Sequence, residues 1–219
     1  MKIIVTDIGK RFNREWIFRH LNFEFINGRS YAIVGPNGSG KSTLLQVVAG
    51  AMLGSEGRVE FVIPRLESSI PGNQSASDDH PETENFYRHI SIATPYLEVI
   101  EEMTLTEFLL FHQIFKPFIR EMDILKIISA VGLERSAQKQ IRYFSSGMKQ
   151  RVKLAQAFFS DSPVLLLDEP CTNLDIDGIT LYNQLILNYS KDRITIVSSN
   201  DLQEYSFCDQ QLNIMDYKK

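Results

Sequence analysis

Apolar and polar positions alternate at Ile3 and Val5 and again at Leu21, Phe23 and Phe25, the period-two pattern of half-buried strands. Asn27-Gly28, after the second run, predicts a hairpin turn. Further along, the pattern changes to short, wholly apolar runs, which predict strands buried on both faces. These are Ser30–Val34, Ile90–Ala93, 164–167 and Ile194–Ser198, with 211–215 as a last strand. Helical stretches lie between them. One follows the glycine-rich turn 35–40, starts at Lys41 and stops at Gly50. A second opens on the capping box Thr104/Glu107 and runs to about Lys116, where Pro117 breaks it. A third, about 121–131, puts Ile124, Leu125, Ile128 and Val131 on one face and ends at Gly132. Ser145 caps a fourth through about Ser160, with Met148, Val152, Ala155 and Phe159 inward, and a fifth covers about 178–189. Apolar strands alternating with helices predict an α/β fold, a mainly parallel core sheet flanked by helices.

Composition narrows the class. The 219 residues are 43% hydrophobic and 23% charged, which suits a globular unit with an ample core. No apolar run approaches the ~20 residues needed to span a bilayer. An acid at Asp7 and the lack of a long apolar stretch argue against a secretory signal, so a cytoplasmic location is expected. The net charge is −4, and segment 64–86 alone carries it, with Arg65 against Glu67, Asp78, Asp79, Glu82 and Glu84. The remainder is neutral, which argues against a nucleic-acid partner. Three prolines and four serines in that segment predict a flexible surface loop. Cys171 and Cys208 lie far apart and the four histidines have no ligand spacing, so free thiols and no metal motif are expected.

Two motifs carry chemistry. Residues 35–42, Gly-Pro-Asn-Gly-Ser-Gly-Lys-Ser, fit GxxxxGK[ST] throughout, between a buried strand and a helix. Glycines let backbone N–H groups wrap an anion, and the helix N-terminus adds positive potential. On this reading Gly35, Asn37, Gly38, Ser39 and Gly40 cradle the phosphates of a nucleotide. Lys41 reaches the β- and γ-phosphates, Ser42 binds Mg²⁺ and Thr43 donates to the α-phosphate. The run 164–169, Val-Leu-Leu-Leu-Asp-Glu, places two carboxylates at the end of a buried strand, where such a sheet binds ligands. Asp168 can hold Mg²⁺ through water, and Glu169 can polarise an attacking water as general base.

With both motifs in hand, the chain resembles the ATP-binding-cassette (ABC) ATPases over nearly all its length. The resemblance implies their P-loop NTPase fold, with an antiparallel β lobe and a helical lobe added to the core. It implies one domain over 1–219: core and β lobe at about 1–95 and 148–219, helical lobe at about 96–147. Phe12, 23 residues before Gly35, stands where the family has an adenine-stacking aromatic, with Trp16 the alternative. Residues 144–151, Phe-Ser-Ser-Gly-Met-Lys-Gln-Arg, stand where the signature LSGGQ belongs; Ser145 and Gly147 match, Ser146 and Met148 depart. In the family this helix faces the γ-phosphate held by another subunit, so Ser145 and Gly147 would complete a partner's site. Asp175, in Thr172-Asn173-Leu174-Asp175, takes the key position of the subunit-contact loop. Lys149 and Arg151 read as solvated helix-face charges.

Two switch residues of the family are missing. Asn200 stands where a His contacts the γ-phosphate and attacking water; Asn can donate a hydrogen bond but cannot take a proton. Slow hydrolysis is the expectation, because Glu169 remains. Thr94-Pro95-Tyr96-Leu97-Glu98 lacks the Gln that touches Mg²⁺, and no Mg²⁺ role carries over there.

The resemblance implies the ATPase subunit of a transporter, taking ATP and Mg²⁺ and working as a homodimer or beside a related ATPase. A separate transmembrane permease would hold it at the inner face of the cell membrane. In the helical lobe Phe108, Leu109, Phe111, Phe115 and Phe118 are mostly core, with some left to groove a permease helix. The alternative is a soluble ATPase of the same fold in an assembly or regulatory complex.

Overall fold

Strand β1 (Lys2–Phe12) is the centre of an antiparallel sheet, flanked by β2 (Glu15–Ile26) and β4 (Glu56–Val62). The computed structural model describes residues 1–63 and 86–218, so all but the last residue of the predicted loop 64–86 lies outside it. The hairpin turn between β1 and β2 falls at Asn13, where φ is 54°, and not at Asn27-Gly28 as the dipeptide suggested. Gly28, with φ 73°, instead lets the chain leave one sheet and enter the other, its N–H donating to Arg193 O at 3.2 Å. The pattern of apolar residues did not reveal β4, because none of its side chains is fully buried. It forms because the outer edge of β1 needs partners for its N–H and C=O groups.

Strands β3 (Ser30–Val34), β5 (Ile90–Ala93), β6 (Val164–Asp168), β7 (Ile194–Ser198) and β8 (Gln210–Asn213) make the second sheet, in the order β5-β6-β7-β3-β8. Every pairing in it is parallel. Both β6 and β7 are buried along their whole length, the result their apolar runs predicted. The last strand ends at Asn213, earlier than expected, because the Asn213 side chain accepts the Met215 N–H and starts a 3₁₀ turn over Ile214–Tyr217.

Six helices are present among the described residues: α1 (Lys41–Val48), α2 (Leu105–Phe115), α3 (Ile124–Ala130), α4 (Ser146–Phe159), α5 (Ile176–Tyr189) and α6 (Leu202–Tyr205); α1 and α4 pack on the sheet, and α2, α3 and α5 pack on α4. The Thr104/Glu107 capping box is formed as predicted. Helix α3 starts later than expected, because Asp123 caps it through the Lys126 N–H. Its inward face is Ile124, Ile127, Ile128 and Val131, at helical spacing, and Leu125, one position off it, is 75% exposed.

Successive residues of β6 feed two apolar layers, as the strand period requires. Val164 and Leu166 pack with Ile33, Leu44 and Ile196; Leu165 and Leu167 pack with Val152, Phe159 and Tyr182. Each such buried aliphatic contributes about 1.5–3 kcal/mol. The consequence for function lies at the carboxyl edge. There the ends of β3, β7 and β6 lie side by side, bringing the glycine turn and the acid pair together.

Candidate active site

The glycine turn is held by contacts that exclude side chains. Gly40 has φ 105°, and a Cβ there would lie 2.3 Å from Ile17 Cγ2. Gly38, at φ 74°, faces open space, so its glycine serves conformation alone. Lys41 is buried, and its ammonium donates to the turn's own carbonyls, Gly35 O at 2.9 Å and Pro36 O at 3.2 Å. The buried Ser39 hydroxyl has no hydrogen-bond partner among the described residues. An anion seated on this turn would take over these polar groups.

Asn37, Gly38, Gly40, Lys41, Ser42 and Thr43 line one side of a cavity of about 430 Å³, and Ile17, Tyr96 and Glu169 complete it. Sequence reasoning missed Ile17, and it assigned no role to Tyr96. Phe12 is not among the lining residues: it is 45% exposed, with the Lys10 ammonium 5.2 Å from its ring centroid. Trp16 lies between the guanidinium groups of Arg11 and Arg19, at 5.5 and 4.3 Å. Register shifts in β1 between Val5 and Arg11 decide which side chain faces the turn, and spacing alone does not reveal them.

Of the two acids, Glu169 lines the cavity and Asp168 lies beside it, against Ser42. Asp168 ends β6 at 2% exposure, and Ser42 Oγ donates to its Oδ1 at 3.0 Å. Burial pushes its pKa up, while the Ser198 and Ser42 hydroxyls and the Lys41 charge pull it back. Glu169 adopts φ 44°, a left-handed conformation costing about 1–3 kcal/mol in a residue other than glycine. Its N–H donates to Ser198 O at 2.9 Å, and its carbonyl accepts the Thr172 N–H at 3.1 Å. Ser42 and Asp168 present hard oxygen donors, the kind that Mg²⁺ takes. No group of three His, Cys, Asp or Glu gathers among the described residues, so water and phosphate oxygens would fill the rest of its shell. Asn200 is exposed and does not line the cavity.

The signature-like residues occupy a different cavity, of about 620 Å³. Ser145, Gly147, Arg135, Arg151, Asn173 and Asp175 are among its lining, and none of these lines the first cavity. Ser145 Oγ caps α4 by accepting the Met148 N–H at 3.2 Å. A Cβ on Gly147 would lie 2.8 Å from Asn173 O, so only glycine lets the loop 170–175 approach this closely. Asp175 caps α5 through the Gly178 N–H at 2.8 Å, a bond that holds its carboxyl below the ordinary range.

The expectation that Lys149 and Arg151 are solvated charges is corrected. Lys149 pairs with Glu101, and Arg151, whose side chain is only 19% exposed, pairs with Asp175 at 3.3 Å. Gln150 is also buried, donating from Nε2 to Pro170 O at 2.8 Å. Helix α4 thus grips the loop after Glu169, a role that a polar residue on a helix does not reveal in sequence. Lys153 on the same helix donates to Pro95 O at 2.7 Å and anchors the turn that carries Tyr96.

Comparison with known proteins agrees with this arrangement. The family model described as ABC transporter matches residues 18–172. The chain is 28% identical to the ABC transporter ATP-binding protein YybJ of Bacillus subtilis, a match covering 97% of this chain and 92% of that protein. It is also 28% identical to the cytochrome c biogenesis ATP-binding export protein CcmA of Rhodopseudomonas palustris, covering 79% and 78%. The lantibiotic transport ATP-binding protein SrtF of Streptococcus pyogenes matches at 28%, covering 91% and 80%. Among solved structures, an ATP-binding subunit of an ABC transporter superposes with TM-score 0.78 at 25% identity, covering 98% of this chain and 86% of that one. A bacterial ABC transporter cassette solved as a dimer superposes with TM-score 0.75 at 22% identity, covering 97% and 94%.

Proposed function

The chain belongs to the ABC transporter family and is an ATP-binding ATPase; from that premise we propose that it powers a separate membrane permease. Two copies, or one copy and a related ATPase, close head-to-tail around two ATP molecules. The observation that carries this reading is the separation of the two cavities. Lys41, Ser42 and Glu169 line one, with Asp168 bonded to Ser42 behind it, and Ser145 and Gly147 line the other, which supports a second chain bringing the halves together.

In that closed pair Lys41 leaves the carbonyls of Gly35 and Pro36 for the β- and γ-phosphates, and Thr43 donates to the α-phosphate. Ser42 and Asp168 would hold Mg²⁺. When bound, Mg²⁺ neutralises the charge that builds on the phosphate oxygens. Glu169, facing the cavity, orients a water and takes its proton as it attacks the γ-phosphorus, while the bond from that phosphorus to the bridging oxygen breaks and ADP leaves. Asn200 donates a hydrogen bond to that region on closure but takes no proton, which keeps turnover slow. From the partner, the Ser145 hydroxyl, the Gly147 N–H and the N-terminus of α4 meet the γ-phosphate. Phe12 stacks on adenine only if the hairpin tip moves, because Ile17 holds the wall here.

The helical lobe, about 96–147 in a cassette over 1–219, supports the permease reading. Phe108, Leu109 and Phe118 are core, while Leu110, Phe111, Ile114 and Phe115 of α2 are 39–76% exposed. No helix among the described residues is long and apolar enough to cross a membrane, so this reading requires another chain to do so. The chain then lies in the cytoplasm, against the inner face of the cell membrane. The relatives are named for different cargoes, which suggests that cargo is set by the permease. Purification from detergent-solubilised native membranes tests this. A stoichiometric polytopic membrane protein is expected; soluble partners alone would support an assembly ATPase instead.

A further inference from the structure

Glu204, on α6 and four residues beyond Asn200, is a carboxylate that the proposed chemistry does not use. It is 4% exposed, and no basic side chain pairs with it among the described residues. Its Oε1 accepts the Cys171 backbone N–H at 2.7 Å, and its own carbonyl accepts the Tyr182 hydroxyl at 2.7 Å from α5. Besides that peptide the carboxyl meets the Ser199 hydroxyl and the Cys171 thiol, and burying a carboxyl with no cation beside it is costly unless the position of the peptide matters. The Cys171 peptide lies two residues beyond Glu169, in a turn whose other polar groups are also engaged. Pro170 O accepts Gln150 Nε2, the Glu169 N–H reaches Ser198 O, and the Thr172 N–H reaches Glu169 O. Asn173 O then presses on Gly147.

We propose that Glu204 is a positioning residue: by holding the Cys171 peptide it keeps Glu169 in its left-handed conformation facing the P-loop cavity. The same contact sets the stretch from Asn173 to Asp175 against the head of α4, so one buried carboxyl aligns parts of both cavities. This rests on the reading of Glu169 as general base, and the test separates the two.

The residue hidden by this contact supplies a reporter. Burial, with the Glu204 carboxyl beside it, pushes the Cys171 thiol up to about 12, so alkylation at neutral pH is slow while the turn is held. In a Cys208→Ser chain, Glu204→Leu is expected to speed Cys171 alkylation. It should also lower single-turnover ATP hydrolysis by about 10²-fold, the cost of a misplaced reacting group, with ATP affinity unchanged. Glu204→Gln keeps an oxygen that can accept the same N–H and is expected to restore hydrolysis towards the parent rate, with alkylation slower than in the leucine variant though faster than in the parent, because the carboxylate beside the thiol is gone. Tyr182→Phe removes only the tether on α6 and should move both readings part of the way, which decides the matter if the leucine variant does not fold. The proposal is overturned if hydrolysis and alkylation stay at parental values in the leucine and phenylalanine variants, or if Gln and Leu change them equally. Normal turnover in Glu169→Gln would end the base assignment instead, leaving alkylation to judge Glu204.

Discussion

The cavity over the P-loop and the cavity at the head of α4 are built in different ways. The first is a backbone device: glycines at φ 74° and 105° shape it, a buried lysine rests on its carbonyls, and Glu169 faces it from the residue after β6. The second is made from the start of a helix and the side chains around it, with Ser145 as cap and the Arg151–Asp175 pair closing one side. One gathers the groups that can bind phosphate and move a proton. The other offers hydrogen-bond donors and positive potential with no reacting group beside them. The two are complementary in chemistry yet share no lining residue, which is why the account calls for a second chain.

Several substitutions separate the two. The largest effect is expected from Lys41→Ala, which should abolish ATP binding in a fluorescent-nucleotide titration. Glu169→Gln should keep ATP binding, lower turnover by about 10²–10⁴-fold and trap an ATP-dependent dimer. Gly147→Val acts on the other cavity, where a Cβ meets Asn173 O at 2.8 Å. Its turnover should fall while the isolated chain binds ATP as before; loss of ATP binding would merge the two cavities into one. In the opposite sense, Asn200→His should raise the single-turnover rate, and an unchanged rate would remove Asn200 from the chemistry.

Smaller effects belong to the helical lobe. Burial, aided by the Lys116 charge, lowers the His112 pKa to about 4. The unfolded chain protonates this residue near 6.5 and the folded chain does not, so stability is complete above that pH. It falls as pH drops from about 6.5 to 4, by up to roughly 3 kcal/mol. Urea unfolding at neutral and acid pH should show this loss, and His112→Asn should reduce it. Thr104→Ala removes the α2 cap and should cost about 1 kcal/mol without altering ATP affinity.

The parts that were legible in sequence are those where local chemistry dictates structure. The glycine turn, the apolar strand ending in Asp168 and the caps at Thr104 and Ser145 need few neighbours to declare themselves. The rest depends on distant contacts. Ile17 reaches the P-loop only because bulges reset the register of β1 against β2. Asp201 followed by Glu204 reads as an ordinary helix start, with the acid expected in solvent. The fold turns Glu204 inward to a loop 33 residues away in sequence.

The most direct test mixes two chains, Lys41→Ala and Gly147→Arg, each expected to hydrolyse almost no ATP alone. In a mixed dimer, the intact Lys41 of one chain faces the intact Gly147 of the other. Recovery of ATPase activity on mixing is the predicted result. No recovery between folded, dimerising variants, or full activity of Gly147→Arg alone, would contradict a site shared between two chains.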